Sequence, residues 1–278
     1  MGNPGLYSES INKYYGQPDL SANIFAALQR AGKDLNALTR NDLAPFDEFH
    51  LRGRAATMEL ASAAGLHEGM AVLDVGSGIG GPARTLAAEF GCTVTGLDLT
   101  EEYCRAAEML TGRVGLSDKV TFRQGNALDM PFDDGTFDLV WMQHTTMNIE
   151  DKERLFGEIR RVLRPGGRLA LYEIFAGSVA PLRFPVPWAN DSAISFLVAP
   201  PEAQQLLAAT GFKELVWTVV TGESIDLLRQ LGAAAQGAPA PLGLHLVVGD
   251  FPEKLANVLR NMEEDRIAVV QGILEREE

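Results

Sequence analysis

The sequence predicts a doubly wound α/β sheet with a helical cap in front of it. Three observations carry that expectation. From residue 70 onward, strand-like and helix-like stretches alternate along the chain, the pattern of a parallel sheet wound by right-handed crossovers. Several of the strand-like stretches are unbroken apolar runs, as expected of strands covered on both faces. The first of them leads through a glycine-rich turn into a helix, in "LDVGSGIGGPARTLA" at 73–87.

Taken in order, residues 1–65 hold helical patterns, "LSANIFAALQRAG" and "GRAATMELASAAG", with no convincing strand, and read as the cap. Residues 66–278 form the sheet domain. Its strands are expected at "MAVLDV", "CTVTGLDL", "KVTFRQ", "FDLVWMQ", "GRLALYEIF", "ELVWTVV" and "IAVVQGIL". Helices are expected at 82–90, 101–112, 151–163 and 201–210. Pro82 stands in a first turn, where its missing N–H costs nothing, and Gly211 supplies a stop after "PEAQQLLAAT". Two irregular segments, 176–201 and 222–264, interrupt this order and read as lids. Within the second, "GAAAQGAPAPLG" (232–243) reads as a loop rich in Gly, Ala and Pro.

Composition narrows the partners. The chain has 278 residues, 46% of them hydrophobic, enough to bury a sizeable core. A net charge of −13 with a pI near 4.8 argues against nucleic acid, whose phosphates need clustered Lys and Arg. The same charge disfavours an anionic membrane surface. Cys92 and Cys104 show neither CxxC nor paired-His spacing, so no metal site and no disulfide framework is expected. The N-terminal "MGNPGLYSES" lacks the features of a signal peptide, and no apolar run is long enough to span a membrane. The expectation is a cytoplasmic enzyme, monomer or homodimer, acting on a small molecule.

The glycine turn fits two ligand classes. Gly76, Gly78 and Gly81 match the G-x-G-x-x-G of dinucleotide-binding enzymes, while Gly76, Gly78 and Gly80 match the G-x-G-x-G of S-adenosylmethionine enzymes. Glycines let a backbone approach either ligand, and the following helix start offers free N–H groups. Asp74, two residues before the first glycine, sits poorly beside a pyrophosphate. Asp98, at the end of the next strand, can accept from ribose hydroxyls in either class. "QGNALDMPF" (124–132) and the run "FDLVWMQHTTMNIEDKERLFGEIRRVLRPGGRLALYE", with its L-R-P-G-G turn, decide the matter. With these motifs in order, residues 66–175 resemble a class I S-adenosylmethionine-dependent methyltransferase. That resemblance implies seven strands in the order 3-2-1-4-5-7-6, the last antiparallel.

The resemblance also assigns residues. Gly76, Ser77 and Gly78 would line the methionine part of S-adenosylmethionine, whose product is S-adenosylhomocysteine. Asp98 would bind the ribose, with Leu99 and Thr100 beside it. Asn126 stands where the family often has Asp, and its amide oxygen can accept from adenine; Ala127 would donate a backbone N–H. Gln143 would face the reactive methyl. Farther upstream, "YYGQPDL" and "AGKDLNALTRNDLAPFDEFHLRGRAATMELA" are similar to the sarcosine/dimethylglycine methyltransferase group, with the D-x-F-H-x-R-G run Asp47 to Gly53 as the most specific piece. This likeness spans about residues 10–175 and fades after 176.

The acceptor-side candidates follow. His144, with a reference pKa near 6.5, suits a general base, or a packed lid histidine. Tyr14 and Tyr15 would donate to the substrate or pack a cation, or serve the helix core. His50 would close over cofactor or substrate, or act as a structural cap. Arg52, Arg54 and Arg183 would hold a substrate carboxylate; Glu173 would contact a cationic substrate, and Trp188 would wall the pocket. The first expectation is N-methylation of a glycine-type amine. C- or O-methylation of a quinone or natural-product ring is the alternative, suggested by the apolar "FPVPW" and "ISFLV". A binding regulator without turnover and a nicotinamide oxidoreductase are the rivals from other classes.

Overall fold

A computed structural model describes residues 4–234 and 241–278; part of the predicted loop 232–243 therefore lies outside the described residues. Four helices come first: α1 (Pro4–Tyr15), α2 (Leu20–Arg30), α3 (Arg40–Asp47) and α4 (Gly53–Ala64). The winding then proceeds through β1 (Ala71–Val75), α5 (Gly81–Phe90), β2 (Thr93–Asp98), α6 (Glu101–Arg113), β3 (Val120–Gln124), β4 (Phe137–Gln143), α7 (Lys152–Val162) and β5 (Leu163–Ala176). It ends in α8 (Pro200–Ala209), β6 (Phe212–Val219), α9 (Thr221–Ala234), α10 (Phe251–Glu263) and β7 (Ile267–Arg276).

The seven strands form one sheet in the order β3-β2-β1-β4-β5-β7-β6. β1 pairs in parallel with β2 and β4, and β7 runs antiparallel to both β5 and β6. Order and orientation are those the sequence implies. The central strands are apolar on both faces because helices cover both: Leu73, Val75, Val140 and Met142 fill one side, and Val72, Leu139, Trp141 and Tyr172 the other. A third cluster, built on Leu20, Ile24, Leu28, Leu43 and Phe46, seats α2 and α3 against α6. Each full burial of a Leu or Phe side chain contributes about 1.5–3 kcal/mol.

One expectation about the elements is corrected. Segment 222–264 is not irregular: it holds α9 and α10, and the described part of the stretch between them contains the 3-10 turn Leu244–Leu246. Ile225 and Leu228 on α9, and Leu255, Val258, Leu259 and Met262 on α10, pack on one cluster, a helical spacing that needs a helix to bury it. Segment 176–201, by contrast, has only the 3-10 turn Ser192–Ile194 between β5 and α8.

Candidate active site

The glycine turn after β1 is shaped by close approach. Gly76, Gly78 and Gly80 all have positive φ, at 74, 52 and 82°, a region costly for other residues. A Cβ on Gly76 would stand 2.3 Å from Thr145 Oγ1. Gly81 does different work: a Cβ there would stand 1.9 Å from the Asp47 carbonyl oxygen, so this glycine lets the end of α3 onto the start of α5. The double pattern thus divides into three turn glycines and one packing glycine. Asp98, ending β2, receives the Gly78 N–H at 2.8 Å and the Thr100 N–H at 2.9 Å. Burial nonetheless pushes its carboxyl above the usual range, against those hydrogen bonds.

Two cavities meet beside this turn. The smaller, about 120 Å³, is lined by Asp98, Leu99, Thr100, Asn126 and Ala127, and is closed from above by Ile11 and Tyr15 of α1 and by Phe49. The larger, about 610 Å³, is a chamber walled by Leu227, Leu228 and Leu231 of α9, Leu255 and Val258 of α10, and Met147, Ile174 and Trp188. Five residues line both: Tyr15, Phe49, Gly76, Gly78 and His144. They form a throat where the two spaces adjoin.

The D-x-F-H-x-R-G run is fixed to this chamber residue by residue. Asp47 is paired with the fully buried Arg84 at 2.9 Å. Phe49 lines both cavities. His50 Nε2 lies 3.0 Å from Glu48 Oε2, and the Thr57 hydroxyl donates to the same carboxylate oxygen. Arg52 turns its guanidinium to Glu59, and Gly53, at φ 51°, opens α4.

His144 sits at the throat with φ 52°, a left-handed conformation that costs a non-glycine residue about 1–3 kcal/mol. Its ring stacks on Tyr172 at 5.2 Å and lies 6.1 Å from His50. Burial, reinforced by His50, holds its pKa well below 6.5, so the imidazole is neutral. Gln143 beside it accepts from Trp141 Nε1 at 3.0 Å, which fixes its amide orientation and leaves its buried nitrogen without a partner.

Other expected residues lie elsewhere. Gln143 and Ser77 line the larger chamber beside Gly76 and Gly78 and are absent from the walls of the smaller cavity. The Asn126 side-chain oxygen accepts from Leu128 N–H at 2.9 Å and so shapes its own turn. Tyr14 is turned away from both cavities: its hydroxyl meets the Val186 and Pro187 carbonyls and Lys254 Nζ. Arg54 bonds Asn41 and the Arg40 carbonyl, and Arg183 bonds Glu264, both outside the cavities. Glu173 is fully buried and is not on either wall; its carboxylate takes the N–H groups of Thr145 and Thr146 and the Thr146 hydroxyl. It therefore holds the loop after His144, and no space remains beside it for a cationic substrate.

Sequence reasoning missed three contributors. Lys152, 5% exposed, donates to the carbonyls of Thr146 and Phe196 and also of Ile149, tying the loop after β4 to segment 176–201. Asn148 receives the Tyr15 hydroxyl at 2.8 Å and donates to the Trp188 carbonyl at 2.9 Å. Nothing in the residues around either one announces these long-range bonds. The leucines of α9 and α10 did carry a signal, their spacing of three and four.

Residues 73–171 match the family described as a methyltransferase domain. A sterol 24-C-methyltransferase of Gibberella zeae is 45% identical over 114 residues, covering 41% of this chain and 30% of that protein. The chain thus spans about a third of the length of the sterol methyltransferases it matches. Among solved structures, a Galdieria sulphuraria protein described as a sarcosine dimethylglycine methyltransferase superposes with TM-score 0.64 at 18% identity, over 81% of this chain and 85% of that one. The geranyl diphosphate C-methyltransferase of Streptomyces coelicolor gives TM-score 0.71 at 19% identity, over 99% and 98%. At such identities the superpositions speak for the fold. Among the described residues no helix is long and apolar enough to cross a membrane.

Proposed function

We propose that the chain, whose residues 73–171 match a methyltransferase domain, is a class I, S-adenosylmethionine-dependent methyltransferase that transfers a methyl group to a small molecule with an extended apolar body. The observation that carries this reading is the throat: the smaller cavity holding Asp98 and an apolar chamber of about 610 Å³ share five wall residues. The apolar walls Leu227, Leu228, Leu255 and Val258 suit a ligand of many carbon atoms better than a glycine-type amine. Ring or chain methylation therefore replaces the glycine-type amine as the preferred reading. In this reading residues 1–65 are a cap, while α9 and α10 form the acceptor lid.

The residues present fit S-adenosylmethionine. Gly76 and Gly78 offer backbone without side chains, and Asp98 keeps carboxylate lone pairs free for the ribose hydroxyls after taking two N–H groups. Leu99 and Ala127 supply apolar contact for the adenine. Bound, the cofactor supplies a methyl on a sulfonium, already activated for in-line attack. The chain's own contribution is alignment and exclusion of water. The neutral His144 imidazole suits its place: an imidazolium there would repel a cationic donor, whereas the neutral ring can receive an acceptor proton.

Melting curves with S-adenosylmethionine and with NAD test the donor. A hundredfold excess over Kd is expected to add about 2.7 kcal/mol, and Asp98→Ala to abolish the gain. Stabilisation by NAD alone would overturn the donor assignment. Labelled transfer to glycine, sarcosine, dimethylglycine, small amines and lipophilic quinols then tests the acceptor. Label on the quinols is expected; label confined to the glycine series would refute the apolar acceptor.

A further inference from the structure

The chamber is apolar almost throughout, and among its described lining residues one side chain carries a permanent positive charge: Arg52. Its side chain is 14% exposed, and its Nη2 lies 2.7 Å from both carboxylate oxygens of Glu59. Glu59 stands on α4 with its own side chain half exposed, so its carboxylate can turn to water when another anion takes the guanidinium. The two acidic lining residues are already engaged, Asp47 by Arg84 and Glu48 by His50, Thr57 and Thr85. Neither competes for the guanidinium. Arg52 is also held at φ 66°, outside the conformations ordinary residues prefer, and strain of this kind persists where surrounding structure over-determines a position.

We infer that the acceptor ends in a carboxylate, that Arg52 receives it, and that Glu59 is the internal carboxylate it displaces. This rests on reading the chamber as the acceptor site. A guanidinium presents parallel N–H groups that match one carboxylate. A phosphate monoester would bring a second charge, with no second cation on the described wall and with Asp47 and Glu48 nearby. The apolar body then extends along α9 and α10, past Leu228 and Leu255. Arg52 is absent from the walls of the smaller cavity; besides Glu59 its side chain meets Tyr172, whose ring stacks on His144, so the carboxylate is held on the His144 side of the chamber.

The test is binding, measured by calorimetry on the full chain with decanoate, decanol and decyl phosphate as probes. Decanoate is expected to bind at least tenfold more tightly than decanol (~1.4 kcal/mol), and decyl phosphate more weakly than decanoate. Arg52→Gln removes the preference for decanoate and leaves decanol unchanged. Glu59→Gln frees the guanidinium and tightens decanoate severalfold without affecting decanol; this variant keeps the idea testable should Arg52→Gln fold poorly. Equal binding of decanoate and decanol, tighter binding of decyl phosphate, or no gain in Glu59→Gln would each overturn the assignment. If the methyl-transfer reading alone is wrong, S-adenosylmethionine fails to stabilise the protein while the decanoate preference remains.

Discussion

Asp74 offers a sharp quantitative test of the turn's electrostatics. Its side chain is 2% exposed at the end of β1, and one carboxylate oxygen has no hydrogen-bond partner. Burial, with the charges of Asp98 and Glu48 adding to it, pushes its pKa from 3.8 to about 8. The folded protein therefore keeps a proton that the unfolded chain has released above pH 4. Unfolding is favoured as pH rises, and the stabilisation present in acid is lost progressively up to about pH 8. One pKa unit corresponds to about 1.4 kcal/mol, so between pH 5 and pH 8 this single group removes about 3–4 kcal/mol. Asn at this position reproduces the protonated acid at every pH. Urea unfolding of the wild type and Asp74→Asn at pH 5, 6.5 and 8, without ligand, measures the effect directly. The gap in favour of the variant should widen by about 3–4 kcal/mol across that range. Parallel pH profiles would show that Asp74 is ionised in the fold and that some unseen donor neutralises it.

Two further substitutions separate the turn from the chamber. Gly76→Ala places a methyl against Thr145 at a positive φ; a loss of about 2–4 kcal/mol in stability, together with lost S-adenosylmethionine binding, is expected in melting curves, and a wild-type profile would mean the turn is soft. Leu255→Trp fills the chamber from α10; transfer to apolar acceptors should fall at least tenfold (~1.4 kcal/mol) while the cofactor-induced shift in Tm persists, and loss of both together would place Leu255 in the donor pocket.

The sheet was legible because its signals are local. Apolar runs, a glycine turn and an aspartate at a strand end all lie within short windows, and residues 73–171 contribute every wall residue of the smaller cavity except Ile11, Tyr15 and Phe49. The chamber was not legible, because its walls come from α3, the α3–α4 loop, segment 176–201, α9 and α10, which meet only after folding. Arg52 and Arg54 show the difference. They are two residues apart at the start of one helix, so they point in different directions, and only one reaches the chamber. Glu173 shows it again: a carboxylate at a strand end reads as a ligand, yet here three donors from the next loop claim it. The helices α9 and α10 could have been read from the spacing of Ile225, Leu228, Leu255, Val258 and Met262, but the glycine- and proline-rich run between them gave the whole segment the look of a loop.

The throat has a use that concerns inhibitors. Because the two cavities touch through Tyr15, Phe49, Gly76, Gly78 and His144 without overlapping further, their ligands can sit side by side instead of competing. A compound joining an adenosyl head to an apolar acid through a short tether would occupy both at once. Its second half would then bind at the millimolar effective concentration that a short linker imposes. Such a compound would distinguish this chain from proteins that share its sheet but wall their chambers differently, because the head addresses what they have in common and the tail addresses what they do not.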